Sequence, residues 1–282
     1  MDRSVKFINK LIDNENKKIE VHSIFKRNIN FLYNDRLYTL QLATSYLTPM
    51  SCVCSVTPEI FEEMRERIAK GVEIRNSRLY IGDLEFEILK LEKNLKIEKV
   101  QREKNIENLM KNLKRILDIN EFSGILFSTF KRLKNNQEIM EKSILEKYLF
   151  SQLKNIFSDN FTLKDLEKLL GVGEGLTPSG DDFICGYIAA LYFLGEYKKI
   201  EFLKEILLFQ LKKTTRVSEE YIYYSFKGEF NEYVKELNEL CITGKIEDSL
   251  DEIVNKIAKI GHSSGIDFIV GFYTGLVKEA KW

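Results

Sequence analysis

The sequence predicts an α+β protein: a mostly antiparallel β unit over residues 1–91, then an all-helical region over 92–282 that carries a repeated loop-helix motif. Three observations lead there. Residues 20–91 alternate with strand-like period between short polar breaks. Beyond Leu91 apolar residues recur at helical spacing, and glycine is absent until Gly124. Finally, Ser-Gly-x-Asp-Phe-Ile-x-Gly is written twice, in GLTPSGDDFICG at 175–186 and in GHSSGIDFIVG at 261–271.

In order along the chain, VHSIFKRNINFLY, RLYTLQL, CVCSV, RLYIGD and LEFEILK read as strands, separated by breaks such as NDR and IGD. Read as one strand, 21–33 places Arg27 on the same face as Val21, Phe25, Ile29, Phe31 and Tyr33. An arginine there needs a partner or a pocket. It either snorkels or sits at a bulge, or it faces the helical half and supplies positive charge. His22 lies in the same strand and has no assigned role. One helix interrupts the β unit: Thr57 caps it, Pro58 suits the first helical position, and Gly71 stops it.

The Lys, Glu and Asn of 92–115 read as the solvated face of a first helix carrying Ile106, Leu109, Met110, Leu113, Ile116 and Leu117. Further helices are expected at 136–157, at 163–170 behind Thr162 and Asp165, and at 181–195, 199–213, 218–227, 230–241, 246–260 and 266–280.

Composition narrows the function. Lys plus Arg and Asp plus Glu both number 43, so no polyanion-binding balance is present, and nucleic acid is not the expected partner. Cys52, Cys54, Cys185 and Cys241 lack the paired spacing of a zinc site and are expected to be reduced thiols. The first residues have charges breaking every apolar stretch, and the run from Phe183 to Gly195 is too short to cross a bilayer, so a cytoplasmic protein is expected.

Aligned at an offset of 85 positions, the repeats pair Ser179 with Ser264, Gly180 with Gly265, Asp182 with Asp267 and Gly186 with Gly271. A structural reading makes Ser179 and Ser264 N-caps, with Asp182 and Asp267 completing capping-box variants. That leaves the glycines unexplained, because a glycine inside a helix is worse than alanine by about 1 kcal/mol. Close packing is one use for them: Gly186 with Ala190, and Gly271 with Gly275, give each helix a flat stripe. The two helices would then cross there about an approximate internal two-fold.

Access is the other use. Gly171, Gly173, Gly175 and Gly180 surround a proline and would let backbone amides reach a small anion, together with Thr177, Ser179, Ser263, Ser264 and Gly265. Glu174, Asp181 and Asp182 would repel that anion unless they cap, pair with a cation, or hold Mg²⁺ between themselves and the ligand. His262, in the second loop, is a general acid or base in one reading and a surface or capping residue in the other.

With GLTPSGDD intact at 175–182, the Gly-His-x-Ser-Gly-x-Asp form near the C-terminus and VHSIFKRNINF near the N-terminus, most of the chain resembles the AllH family of oxamate carbamoyltransferase subunits. The resemblance implies a place in purine and allantoin nitrogen catabolism. The family's complex interconverts oxalurate plus phosphate with oxamate plus carbamoyl phosphate. It also implies other transferase subunits as partners and a small anionic substrate, a carboxylate or phosphate. Catalytic roles then fall on His262 and Asp182, with Arg27, Gly175, Thr177, Ser179, Gly180, Asp181, Asp182, Ser263, Ser264, Gly265 and Asp267 expected around the ligand.

No activated cysteine or Ser/His/Asp order is recognisable, so no covalent intermediate is expected. Two other readings stand beside the transferase. One is a non-catalytic scaffold whose repeat only packs helices. The other is a hydrolase using Asp181, Asp182 and Asp267 around a metal.

Overall fold

The structure, a computed structural model, describes residues 4–7, 17–137 and 143–280. The chain divides into two compact units, Met1–Leu95 and Lys96–Trp282.

Among the described residues, the first unit is a nine-stranded sheet with one α-helix, which ends in a 3₁₀ turn at Ile68–Lys70. Its elements in order are β1 (Ser4–Phe7), β2 (Lys17–Lys18), β3 (Glu20–Ile24), β4 (Asn28–Tyr33), β5 (Arg36–Leu42), β6 (Ser51–Cys54), α1 (Pro58–Arg67), β7 (Val72–Arg75), β8 (Arg78–Ile81) and β9 (Leu84–Lys90). Across the sheet the order is β2-β7-β8-β9-β1-β6-β5-β4-β3. Neighbours are antiparallel except β1 with β9 and β5 with β6. The mostly antiparallel expectation therefore holds.

Local chemistry explains the corners. Asn34 and Asp35 both take positive φ, 50° and 56°, joining β4 to β5 in the tight turn whose twist suits a hairpin. Thr57 accepts from the Ile60 amide at 3.5 Å, with Pro58 opening α1 as expected. Phe61 and Met64 of α1 are buried in a core with Phe7, Phe31, Tyr38 and Phe86.

One expectation fails here. Residues 21–33 form two strands, because Phe25 N–H bonds back to Asn28 O at 2.8 Å and turns the chain at 25–27. Arg27 is therefore exposed at a hairpin tip, and the apolar face that was to demand a partner for it does not exist.

The second unit is helical: α2 (Glu103–Ile119), α3 (Ile125–Lys134), α4 (Ile144–Ile156), α5 (Ser179–Leu194), α6 (Tyr197–Leu207), α7 (Arg216–Ser225), α8 (Glu232–Thr243), α9 (Ile246–Ala258) and α10 (Ser264–Glu279). Residues 163–169 and 208–213 are 3₁₀ turns where α-helix was expected. Residues 138–142 of the expected 136–157 helix lie outside the described residues, and α4 begins at a capping box of Ser143 and Glu146.

The reading of 92–115 as one solvated helix is also corrected. Residues 96–100 are extended, since Ile97 N–H bonds Gly228 O, Val100 N–H bonds Phe193 O, and the Asn238 side chain clamps both backbone groups of Glu98. All four cysteines are free and buried. Among the described residues, no helix is long and apolar enough to cross a membrane.

Helices α5 and α10 form the centre of this unit and are buried almost all round, as expected of helices enclosed by others. Their crossing answers the glycine question. A Cβ on Gly186 would lie 2.0 Å from Phe268 O, and one on Gly271 would lie 2.0 Å from Phe183 O. Phe183 and Phe268 occupy equivalent repeat positions, so the two contacts are reciprocal. The expected internal two-fold is present, and it sets both helix starts at one end of the crossing.

Candidate functional site where two helix starts meet

The crossing joins the loops directly. Thr177 Oγ1 and Ser264 Oγ share a hydrogen bond of 2.7 Å between the first copy and the second. The side chains around it interleave. Asp182, from the first copy, is flanked by the Ser264 and Thr177 hydroxyls, whereas Asp267, from the second, is flanked by those of Ser179 and Ser263.

The capping reading of these residues is overturned. Ser179 and Ser264 are the first helical residues, the caps are Pro178 and Ser263, and neither makes a side-chain capping hydrogen bond to its helix. Each Ser-x-x-Asp therefore starts one step inside its helix, behind Pro178, whose side chain carries no oxygen, in the first copy and behind Ser263 in the second, and neither aspartate completes a capping box.

Both carboxyls are then left with an unmet demand. Neither oxygen of Asp267 has a partner in hydrogen-bonding geometry, although nearby hydroxyls favour its charge, and the residue is 0 % exposed. Asp182 is half-buried as a residue, but its Oδ2 is enclosed and without a partner. Burial pushes Asp267 up to about 7. Burial, and then the charge of Asp267, hold Asp182 well above the ordinary carboxyl range. Two carboxyls so placed do not both ionise readily.

Asp181 behaves differently from its neighbour. One of its oxygens accepts the Gly171 amide at 2.7 Å and the other accepts the Thr214 hydroxyl. Asp181, expected beside a ligand, here ties the glycine loop to the start of α7. Thr215 adds a second tie to Leu176 O.

The glycines also serve the chain more than a ligand. A Cβ on Gly180 would strike Leu169 O at 2.0 Å, and one on Gly265 would strike Ile257 O at 1.7 Å. Their amides bond Val172 O at 2.8 Å and Ile260 O at 3.1 Å, while Asp181 and Asp182 amides bond Pro178 O. These four amides are therefore unavailable to an anion. Gly175, at φ 85° with open space around it, remains exposed.

His262 is exposed in the second loop, and its carbonyl accepts the Ser123 hydroxyl at 3.2 Å. Neither Ser123 nor Gly124 is a site residue in the sequence reading, yet a Cβ on Gly124 would lie 3.0 Å from Ser263 Cβ and 3.5 Å from Asp267 Oδ1. The available signal was a third Ser-Gly pair just ahead of a helix. Burial pushes the Cys185 thiol up, with Asp182 and Asp181 adding to it, the opposite of an activated nucleophile. Among the described residues, no group of three or more His, Cys, Asp or Glu is placed to hold a metal.

Fold and site together define a class: an α+β protein whose helical unit is organised on a duplicated Ser-Gly-x-Asp helix start. Family comparison is more specific. The profile described as oxamate carbamoyltransferase subunit AllH matches residues 169–276, and that described as AllH family N-terminal domain matches residues 1–97. The chain belongs to the AllH family. Among curated proteins and among solved structures, nothing matches it.

Proposed function

We propose that the chain works as a subunit of a carbamoyltransferase assembly and binds a small anionic ligand where its two repeated loops meet. The family's description as an oxamate carbamoyltransferase subunit supports the assembly and the existence of partner subunits. The reaction would be that of oxalurate and phosphate with oxamate and carbamoyl phosphate, in purine and allantoin nitrogen catabolism.

One observation carries the ligand site: a hydrogen bond between the two copies, Thr177 to Ser264, set beside buried carboxyl oxygens that have no partner. Buried polar atoms are nearly always satisfied. Here a proton, a cation such as Mg²⁺ or a donor on the ligand would supply what the chain does not. The half-buried hydroxyls of Thr177, Ser263 and Ser264 would donate to the anionic end, and the exposed His262, next in sequence to Ser263, would move a proton.

A scaffold reading also has an observation in its favour, since the glycines at 180, 186, 265 and 271 are each explained by backbone contact. Titration calorimetry separates the two. The site predicts heat of binding for oxamate, carbamoyl phosphate or phosphate, with or without Mg²⁺, and its loss in Asp182→Asn. If no ligand binds under either condition, and Asp182→Asn leaves the assembly's activity unchanged, the loops are scaffold only.

A further inference from the structure

The three orphaned oxygens, Asp182 Oδ2 and both of Asp267, are all hydrogen-bond acceptors once ionised, and they stand at equivalent positions of a two-fold. Among the described residues, the groups that act on these carboxyls are hydroxyls and other carboxyls, with no Lys, Arg or His. An anionic end placed against them would be repelled. A neutral group bearing N–H would be held, because it donates to buried oxygens that the flanking hydroxyls do not reach in hydrogen-bonding geometry.

A planar NH₂ group carries two diverging N–H donors, which suits two acceptors related by a two-fold. Gly124 lies against this pair, since a Cβ there would come to 3.5 Å from Asp267 Oδ1.

We infer that Asp182 and Asp267 together grip the NH₂ of a carbamoyl or primary amide group, one N–H to each, with the ligand's carboxylate or phosphate turned outward to the hydroxyls at the rim. This rests on the proposed ligand site and gives it a direction. The nitrogen end lies inward, in the buried part, and the charged end lies at the half-exposed edge formed by Thr177, Ser263 and Ser264.

The test is calorimetry on the full chain with chelator present, comparing oxamate with oxalate, in which an oxygen replaces the NH₂. Oxamate should bind at least about 100-fold more tightly, as expected where a site's polar groups would be left unpaired by the analogue. In Asp267→Asn that preference should narrow about tenfold or more, because the new amide presents its own N–H to the ligand. Asp182→Asn gives the same readout should the first variant fail to fold, and the wild-type comparison needs neither.

Equal or tighter binding of oxalate overturns the inference while leaving an anion site in place. So does saturation of the site by Mg²⁺ alone in chelator-free buffer, abolished by Asp267→Asn, which would make the pair a cation site. Failure of oxamate, carbamoyl phosphate and phosphate all to bind would overturn the ligand site itself, and this inference with it.

Discussion

The two helix starts share Ser, Gly, Asp, Phe, Ile and Gly at matching positions but differ at the residue before the aspartate. There the first copy has Asp181 and the second has Ile266. Asp181 is buried by fastening to Gly171 and Thr214, whereas Ile266 is buried in the apolar core. The first loop, long and rich in glycine, needs a polar tie to hold it against α7. The second is short and needs only packing. What both copies keep, the buried Asp182 and Asp267, is what neither the caps nor the packing uses. Of the shared glycines, Gly186 and Gly271 serve the crossing while Gly180 and Gly265 pack against Leu169 and Ile257, and the shared aspartates are the part that packing does not explain.

The comparison can be broken first through pH. The folded value of Asp267 is raised from 3.8 to about 7, so the folded chain holds the proton more tightly than the unfolded one. Its contribution to stability is full below about pH 4 and is lost as pH rises to about 7, by about 4 kcal/mol at 1.4 kcal/mol per pH unit. Denaturant unfolding across that range should show the fall in wild type and a flatter profile in Asp267→Asn. The variant should be the more stable chain at pH 8.

Next come the reciprocal glycines. Gly186→Ala and Gly271→Ala should each destabilise by about 3 kcal/mol or more, since the added Cβ meets backbone rather than a movable side chain. Similar losses in the two variants, measured by urea midpoint, sharpen the two-fold; a marked inequality breaks it.

The divergent position should give about 2–4 kcal/mol in both copies for opposite reasons. Asp181→Ala leaves the Gly171 amide unpaired, and Ile266→Ala leaves a cavity. Only the first should loosen the glycine loop, seen as faster amide exchange at 171–176.

The smallest effects belong to Thr177 and its counterpart His262. Thr177→Val removes the bond to Ser264, worth about 1 kcal/mol, while His262→Ala, at an exposed position, should stay within about 0.5 kcal/mol.

Much of this was legible in the sequence. The β-rich front, the helical back, the capped α1 and the crossing of the repeated helices followed from period and from glycines placed where capping had no use for them. Arg27 was misread because 25–27 turns without glycine or proline, so the alternation of β3 runs on into β4. The strand β1 is only four residues, too short for its period to show, although it sits inside the sheet between β9 and β6.

The capping error had a local cause, since Ser-x-x-Asp is a cap signature and only the preceding Pro178 argued otherwise. The ties of Asp181 to Gly171 and Thr214, and the approach of Gly124 to Asp267, join residues from 10 to more than 140 positions apart. No periodicity encodes such meetings. They follow from the packing of α3, α7 and the central pair.

The central claim is that both loops serve one ligand, and a double-mutant cycle on oxamate affinity tests it most directly. Asp182→Asn and Asp267→Asn should each weaken binding about tenfold or more, and the double variant should bind about as weakly as the worse single one, the non-additivity of groups that share a partner. Losses that simply multiply would contradict it, placing the two aspartates in separate surroundings.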